Sequence, residues 1–309
     1  MGMRETYTNT LIKLAEKDER ICVLDADLRV GHGTMPFYER FPERGINCGV
    51  AEANMVGIAA GLAAGGKIPF AETFGCFAAR RAFDQFFISG NYAQLNVKLI
   101  GSDPGVTAAY NGGTHMPFED IAMMRAVPGL TIVSPCDPYS LGELMEPIAY
   151  APGCVYLRIP RKADQRIYNG NEKLELGKGY VLREGTDIAI AATGFVMVPE
   201  ALKTADVLEK DGISAAVIDF HTIKPLDTEL LEKWAVKTGC IVTMENHQAA
   251  GGLGGAVAEY LGTAKPTHIL RIGVEDRFGQ VGTTDFLKED YGLTAEQASV
   301  RIAEYYNNL

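Results

Sequence analysis

Glu52 is the only charged side chain in an apolar stretch of glycine, alanine and aliphatic residues at 48–65. A helix that is apolar on every face is normally buried. A carboxyl group left unpaired there would destabilise the protein by several kcal/mol if it were ionised. Otherwise its pKa rises and the group keeps its proton. Such a carboxyl group can serve as a general acid or base. The structural alternative is that Glu52 lies in the first helical turn and complements the helix dipole.

The same stretch contains Gly57 and Gly61 at positions that the pattern predicts to be helical. Glycine is less favourable than alanine inside a helix by roughly 1 kcal/mol. We therefore expect another backbone to pack closely against these two positions.

The segment 103–115 (DPGVTAAYNGGTH) is the second place where chemistry is expected, since it lies between a predicted strand and a predicted helix. Open α/β sheets bind ligands at the carboxyl ends of their strands. His115 could contact a ligand there, although a single loop histidine can equally be a surface hydrogen-bonding residue.

An aromatic cluster precedes this loop. Six phenylalanines fall within 70–87, and most of them are expected to pack in the core. Phe74 and Phe77 follow a predicted strand end, where a ring face could contact a flat heterocycle.

Other motifs carry less weight. The GGLGG segment at 251–255 resembles a phosphate-binding loop but lacks the spacing of a dinucleotide fingerprint, so close helix–sheet packing or a subunit contact explains it better. His221 and His247 lie at predicted strand ends and are expected to be structural. Sequence signatures of serine hydrolases, P-loop NTPases and zinc peptidases are missing.

Composition limits the class of protein. The formal net charge of −10 argues against nucleic acid or an anionic membrane as the main partner. No segment is apolar enough to span a membrane or to act as a signal peptide. The six cysteines are widely spaced among apolar neighbours, which is typical of buried thiols in a reducing cytoplasm. We expect a cytoplasmic protein.

Short apolar strands alternate with helices along the whole chain, a pattern typical of parallel sheets covered on both faces. We predict an α/β fold of two doubly wound domains at 1–165 and 186–309, separated by a polar linker at 166–185. Strands are expected at 21–24, 67–70, 97–101, 130–133 and 154–158, then at 187–192, 215–219, 240–244 and 268–272. A helix is expected over 74–88.

Taken in order, these residues resemble the C-terminal half of transketolase, a thiamine-diphosphate enzyme. The resemblance covers nearly the whole chain and rests on 25–28 (DADL), 49–52 (GVAE), 69–85, 113–125, 134–137, Arg158, 222–227 (TIKPLD) and 245–254. It implies a pyrimidine-binding domain followed by a smaller transketolase C-terminal domain. It also implies transfer of a two-carbon ketol unit from a ketose to an aldose.

The resemblance assigns roles to individual residues. Glu52 would face N1′ of the cofactor's aminopyrimidine and share a proton with it, which activates the cofactor. Phe77, helped by Phe74, would stack on the pyrimidine, and Asp27 would line the cofactor cleft. His115 would hydrogen-bond the donor ketose.

One family motif is missing. No GDG sequence, the motif that binds the diphosphate and its metal in this family, occurs in the chain. The resemblance therefore implies that a separate N-terminal subunit supplies that domain together with Mg²⁺ or Ca²⁺. It further implies an α2β2 assembly and no activity for this chain alone.

Departures from the family pattern fall at the sugar-binding positions. Asn111 replaces an aspartate that contacts a donor hydroxyl, Asp103 replaces a phosphate-binding histidine, and Gly31 replaces a phosphate-binding serine. The matching phosphate-binding arginines are Arg4 and Arg158, with Arg161 close by. We expect a sugar pair other than the standard pentose phosphates, or altered contacts to a phosphate or sulfonate group.

Two alternatives remain open at this point. One is another thiamine-diphosphate enzyme, of the deoxyxylulose-phosphate synthase type or the β subunit of a 2-oxoacid dehydrogenase. The other is a non-catalytic scaffold or regulatory subunit that keeps only the fold.

Overall fold

The first domain is built around a seven-stranded sheet, and the computed structural model describes all 309 residues. Its strands are β1 (Ile21–Asp25), β2 (Gly45–Asn47), β3 (Ile68–Phe74), β4 (Lys98–Ser102), β5 (Thr131–Val133) and β6 (Val155–Ile159). Its helices are α1 (Met3–Lys17), α2 (Arg29–His32), α3 (Met35–Arg40), α4 (Glu52–Ala64), α5 (Gly75–Ala79), α6 (Phe83–Gln85), α7 (Asp120–Arg125) and α8 (Pro138–Tyr150).

The second domain has the same layered design. Its strands are β7 (Tyr180–Arg183), β8 (Ile188–Ala192), β9 (Ala215–Asp219), β10 (Thr222–Lys224), β11 (Cys240–Gln248) and β12 (His268–Val274). Its helices are α9 (Gly194–Lys210), α10 (Thr228–Thr238), α11 (Leu253–Ala264), α12 (Thr284–Asp290) and α13 (Ala295–Asn307). The sheet order is β12-β11-β8-β9-β7, and only β7 is antiparallel to its neighbour.

The first sheet has the order β10-β5-β6-β4-β3-β1-β2. All of its strands are parallel except β10, which comes from the second domain and pairs antiparallel with β5. The carboxyl ends of β1, β3, β4 and β6 therefore lie at one edge of the sheet. The residues at or just after these ends include Asp27, Phe74, Asp103 and Arg161, so the topology brings several predicted site residues to one place.

The predicted fold class is confirmed, and the differences from prediction are local. The helix expected over 74–88 is interrupted: β3 continues to Phe74, and two short helices lead into a π-helical segment at Phe86–Tyr92. Periodicity did not reveal these breaks because apolar residues continue through the segment on both sides of the polar residues at 80–85. β7 begins inside the segment predicted as a linker.

Helix α4 is buried on one side only, contrary to the expectation of an all-round buried helix. Met55, Val56 and Ala59 are buried, whereas Gly57 and Gly61 are exposed. No atom lies within 4 Å of the position that a Cβ would take at either glycine. Within this chain the expected backbone contact is absent, because no element of the chain covers that face.

The second domain holds the loop that follows β4. The Asn246 side chain accepts a hydrogen bond from the Val106 amide (2.9 Å) and donates one to the Pro104 carbonyl (2.9 Å). A side chain at Gly105 would overlap Asn246. The conformation of this loop therefore depends on the second domain. None of the helices combines the length and apolar character needed to cross a membrane.

Asp219, at the end of β9, is a buried carboxyl group that makes stability depend on pH. One oxygen accepts a hydrogen bond from the Tyr168 hydroxyl (2.8 Å), and the other has no partner. Burial raises the pKa of Asp219 to about 7. Since an unfolded aspartate titrates near pH 4, the folded state binds more protons between these values and loses stability as pH rises through them.

We therefore expect Asp219→Asn to stabilise the protein at pH 8, by about 1–3 kcal/mol, and to have little or the opposite effect at pH 5. Calorimetric unfolding at the two pH values measures this difference. An equal change in Tm at both pH values would contradict the assignment.

Candidate active site

Glu52 is the first residue of α4 and is 1% exposed. Its carboxylate is not unpaired: the Arg81 guanidinium donates to both oxygens, at 3.0 and 2.8 Å. Arg81 itself is about half exposed, with 48% of its side chain accessible. The buried acid is therefore neutralised by a cation that can swing towards solvent.

Three rings stand edge-on to one another beside this pair. The centroid of the His115 ring lies 5.4 Å from that of Phe74 and 5.1 Å from that of Phe77, and the two phenylalanine centroids are 6.1 Å apart. The Thr114 hydroxyl lies 2.9 Å from His115 Nδ1 and orients the imidazole. The structure thus brings His115, Phe74 and Phe77 together as one aromatic wall.

Arg81 connects Glu52 to this wall. Its guanidinium lies over the Phe77 ring, 4.1 Å from the centroid, while it donates to the Glu52 carboxylate. A protonated aminopyrimidine would present the same features at this place: it is planar, its N–H groups can donate to the buried acid, and its face can stack on the phenyl ring. The residues therefore fit the pyrimidine of thiamine diphosphate, with Arg81 as its present substitute.

Asp27 and Asn111 are both exposed. Asp27 has a left-handed backbone (φ 63°), and its side chain accepts a hydrogen bond from the side-chain amide of Asn47 at 2.9 Å. Non-glycine residues with such a backbone are uncommon and concentrate at functional loops. The roles predicted for Asp27 and Asn111 remain predictions.

Two arginines meet at Gly31. Arg4 donates to the Gly31 carbonyl at 3.2 Å, and the Arg161 guanidinium lies 3.1 Å from where a Cβ at Gly31 would be. A side chain at Gly33 would overlap Arg4. Glycine at these two positions leaves room for both guanidinium groups, which line one small cavity together with Ser102.

Asp103 is bound to one of these arginines. It is 4% exposed and accepts hydrogen bonds from the Arg161 amide (2.9 Å) and from Arg161 Nε (2.7 Å). The Arg161 guanidinium also lies 4.7 Å from the centroid of Phe74, which joins this end of the site to the aromatic wall. Asp103 therefore positions Arg161 and lowers the net positive charge.

Arg158 is not part of this group, contrary to the expectation from the sequence. It is 2% exposed, donates to both oxygens of Asp120 (2.7 and 3.1 Å) and to the Asn246 carbonyl (3.2 Å). The pair with Asp120 lies within the first domain, and the bond to Asn246 joins it to the second domain. The side chain has no accessible surface with which to bind a sugar.

The weaker motifs are structural in this chain. The amides of Leu253 and Gly254, at the start of α11, donate to the buried Glu245 carboxylate, so the glycine loop binds an internal acid. His247 is fully buried, and burial lowers the pKa of His221 to about 4.

Sequence reasoning did not single out Arg81. A signal was available, because Arg81 follows Phe77 by four residues, the spacing that places two side chains on one helical face. The ion pair with Glu52 could not be found in this way, since it depends on how α4 and the segment after β3 pack.

Comparison with known proteins agrees with this geometry. Residues 1–165 match the transketolase pyrimidine-binding domain, and residues 177–298 match the transketolase C-terminal domain. The chain therefore belongs to the transketolase family. Its pyrimidine-binding domain is the type that holds the pyrimidine end of thiamine diphosphate.

Relatives define the subtype. The chain is 50% identical to the 6-deoxy-6-sulfo-D-fructose transketolase subunit SqwH of Clostridium sp. (strain MSTE9), over 96% of this chain and 91% of that one. It is 44% identical to a putative transketolase C-terminal section of Methanocaldococcus jannaschii, over 98% and 96%. A solved split-gene transketolase, an inactive beta4 tetramer, superposes with a TM-score of 0.92 at 40% identity over 99% of both chains.

The chain is thus a subunit of the split type of transketolase, a transferase, in which these two domains form their own polypeptide. The resemblance identified from the sequence is confirmed. The deoxyxylulose-phosphate synthases are more distant, at 36% identity for that of Heliobacterium modesticaldum, where the match covers 96% of this chain and 46% of the relative.

Proposed function

We propose that this chain, joined to an N-terminal subunit, transfers a two-carbon ketol unit from a sulfonated ketose to an aldose. The observation that supports the cofactor site is the shared guanidinium: Glu52 and Phe77 both contact Arg81, so an acid and a ring face are already arranged around one planar cation. The sulfonated donor is supported by the charges around Gly31.

Thiamine diphosphate, when bound, supplies the nucleophilic carbon and the electron sink for two-carbon transfer. Glu52 holds or releases a proton at N1′ of the pyrimidine. Phe77 stacks on the pyrimidine, and Phe74 packs edge-on against the Phe77 ring. His115 hydrogen-bonds the donor sugar, since its ring forms part of the same aromatic wall and Thr114 fixes its orientation.

The charge at the sugar-binding end favours a monoanion. Arg4 forms no ion pair, whereas the Arg161 guanidinium is paired with Asp103 at 2.6 Å. Two arginines and one aspartate leave a net charge of about +1, and the buried Glu72 in the same cavity lowers it further, so the site matches a sulfonate better than a doubly charged phosphate. The relative named above as a 6-deoxy-6-sulfo-D-fructose transketolase subunit gives the first donor to test.

Exposed apolar side chains next to the site support the proposal that an N-terminal subunit binds there. Val30, Val50 and Tyr110, which neighbour Asp27, Glu52 and Asn111 in the sequence, are each more than 70% exposed. Phe278 is 98% exposed and follows Arg277 in a loop that packs on Gly113 through Gly279. Such a patch is typical of a protein interface. We propose an α2β2 assembly in which the partner binds the diphosphate and its Mg²⁺ or Ca²⁺.

The substrate test uses the reconstituted pair with three donors: 6-deoxy-6-sulfo-D-fructose, D-fructose 6-phosphate and D-fructose. We expect kcat/KM to be highest for the sulfonated sugar and lowest for the neutral one. Equal or higher activity with xylulose 5-phosphate and ribose 5-phosphate would overturn the proposed substrate class. Decarboxylation of pyruvate by the pair would instead favour a deoxyxylulose-phosphate synthase or 2-oxoacid dehydrogenase activity.

Arg81 has to leave both Glu52 and Phe77 before the pyrimidine can bind. We therefore expect Arg81→Met in the assembled enzyme to bind thiamine diphosphate about 2- to 5-fold more tightly, since an ion pair with one half-exposed partner contributes about 1 kcal/mol at most. Isothermal titration calorimetry measures the change. Arg80→Met is the matched control, because Arg80 contacts Glu119 and the Thr114 carbonyl instead. Weaker binding by Arg81→Met would show that Arg81 helps to hold the cofactor.

A further inference from the structure

Three buried titratable side chains, which the proposed function does not use, converge beneath the sugar-binding end. Asp25 ends β1, His32 ends α2, and Glu72 lies in β3. Their exposed fractions are 0%, 5% and 0%. Asp25, His32 and Glu72 each offer one ligand atom, these atoms all lie within 4.8 Å of one another, and His32 Nδ1 is 3.5 Å from Glu72 Oε2.

Asp25 and His32 are each held through one atom and unpartnered at the other. Asp25 Oδ1 accepts a hydrogen bond from the Leu28 amide at 2.8 Å, and His32 Nε2 lies 2.9 Å from the Ser102 hydroxyl. Asp25 Oδ2 and His32 Nδ1 are buried without any hydrogen-bond partner. Buried polar atoms are rarely left in this state, so each such atom requires an explanation.

Glu72 follows the same pattern. Its Oε1 accepts a short hydrogen bond from the Tyr7 hydroxyl at 2.6 Å, while Oε2 has only a long contact of 3.3 Å with the Thr34 hydroxyl. Metal ligands in proteins are oriented in this way, by outer contacts to the atom that does not bind the metal. In each of the three residues, therefore, an outer contact holds one polar atom, and the other polar atom points towards the same place.

The two carboxylates of the cluster have no direct cationic partner. No arginine or lysine forms an ion pair with Asp25 or Glu72, although Arg4 and Arg161 line the same small cavity as His32 and Glu72. A divalent cation would neutralise both carboxylates at once.

We propose that Asp25 Oδ2, His32 Nδ1 and Glu72 Oε2 form a binding site for a divalent transition-metal ion, with Zn²⁺ as the best match. Bonds from Zn²⁺ to imidazole nitrogen and carboxylate oxygen are about 2.0–2.2 Å long, so small side-chain rotations bring all three atoms into reach. The imidazole ligand argues against Ca²⁺ and Mg²⁺, which prefer oxygen. The ion ties together β1, which ends two residues before Asp27, with β3 and α2, which carry Phe74 and Gly31.

The test is metal binding by the full chain after treatment with EDTA. We expect the apo protein to take up about one equivalent of Zn²⁺ in excess Mg²⁺, and saturating Zn²⁺ to raise the Tm by roughly 5 °C. Elemental analysis after gel filtration measures the first value, and calorimetry measures the second. Neither readout needs the partner subunit or the cofactor, so failure of the proposed transketolase activity would leave this result unaffected.

Variants locate the ion. Asp25→Asn and Glu72→Gln are each expected to weaken Zn²⁺ binding by at least about a hundredfold, since both preserve the shape of the side chain and remove the charge. Glu245→Gln is the matched control: Glu245 is also a buried glutamate beside a histidine, 3.7 Å from His247, but has no third ligand. No uptake of Zn²⁺ by the apo wild type, or uptake that Asp25→Asn and Glu72→Gln leave unchanged, would overturn the proposal.

Discussion

Glu52→Gln is expected to lower kcat of the assembled enzyme by about 10²–10⁴-fold, the usual contribution of a general acid–base group. The glutamine keeps the size of the side chain but cannot exchange a proton with N1′ of the pyrimidine. Glu52 is buried at the start of α4, so bulk water does not readily replace it. Steady-state ketol transfer with saturating cofactor measures the change, and calorimetry verifies that thiamine diphosphate still binds.

The matched control separates this role from that of a helix-dipole partner. Glu229 also lies in the first turn of its helix, α10, but its side chain is 86% exposed. Glu229→Gln is expected to leave turnover unchanged. Normal turnover in the Glu52→Gln complex would mean that the carboxylate has only a structural role and that this chain is not a catalytic subunit of the proposed kind.

Arg161→Met is expected to raise KM for a sulfonated or phosphorylated donor by about 10- to 100-fold, because a charge-assisted hydrogen bond contributes about 1.5–3 kcal/mol. The KM for a neutral ketose should change little, since the Arg161 guanidinium lies at the anion-binding end of the site. Kinetics with sulfonated and neutral donors measure the difference. Arg183→Met is the control, as Arg183 pairs only with Asp206 and Glu209 on the surface of the second domain.

Asp103, which pairs with Arg161, provides a variant that changes the charge of the site in the opposite direction. Asp103→Asn leaves both guanidinium groups uncompensated and is expected to shift the ratio of kcat/KM towards the phosphorylated donor by about tenfold. The double variant, Asp103→Asn with Arg161→Met, leaves no unpaired buried charge and so verifies that the effect is not one of folding. An unchanged ratio in Asp103→Asn would contradict the charge argument for a sulfonate.

The features that follow from local pattern were predictable from the sequence. The alternation of short apolar strands with helices predicted two doubly wound domains, and parallel strands then required Asp27, Phe74 and Asp103 to approach one sheet edge. Glu52 was conspicuous because it is a single acid among apolar residues. The GGLGG loop was correctly predicted to be structural, since no acid followed at the required spacing.

The features that depend on packing were not predictable. The Arg81–Glu52 pair joins residues 29 positions apart, and the contacts that bury Arg158 include one to Asn246 in the second domain. The cluster of Asp25, His32 and Glu72 arises from the pairing of β1 with β3, which sets Asp25 directly opposite Glu72. The face of α4 that carries Gly57 and Gly61 was expected to be covered, and composition alone could not show that no part of this chain covers it.

The central claim is that this chain supplies the pyrimidine half of a cofactor site that a second subunit completes. The most direct measurement is cofactor retention and ketol transfer by the chain alone, by the N-terminal subunit alone and by the mixture, each after gel filtration. We expect only the mixture to retain about one thiamine diphosphate per pair of chains and to turn over a sulfonated ketose. Retention and turnover by this chain alone, or a mixture that forms a complex yet does neither, would contradict the claim.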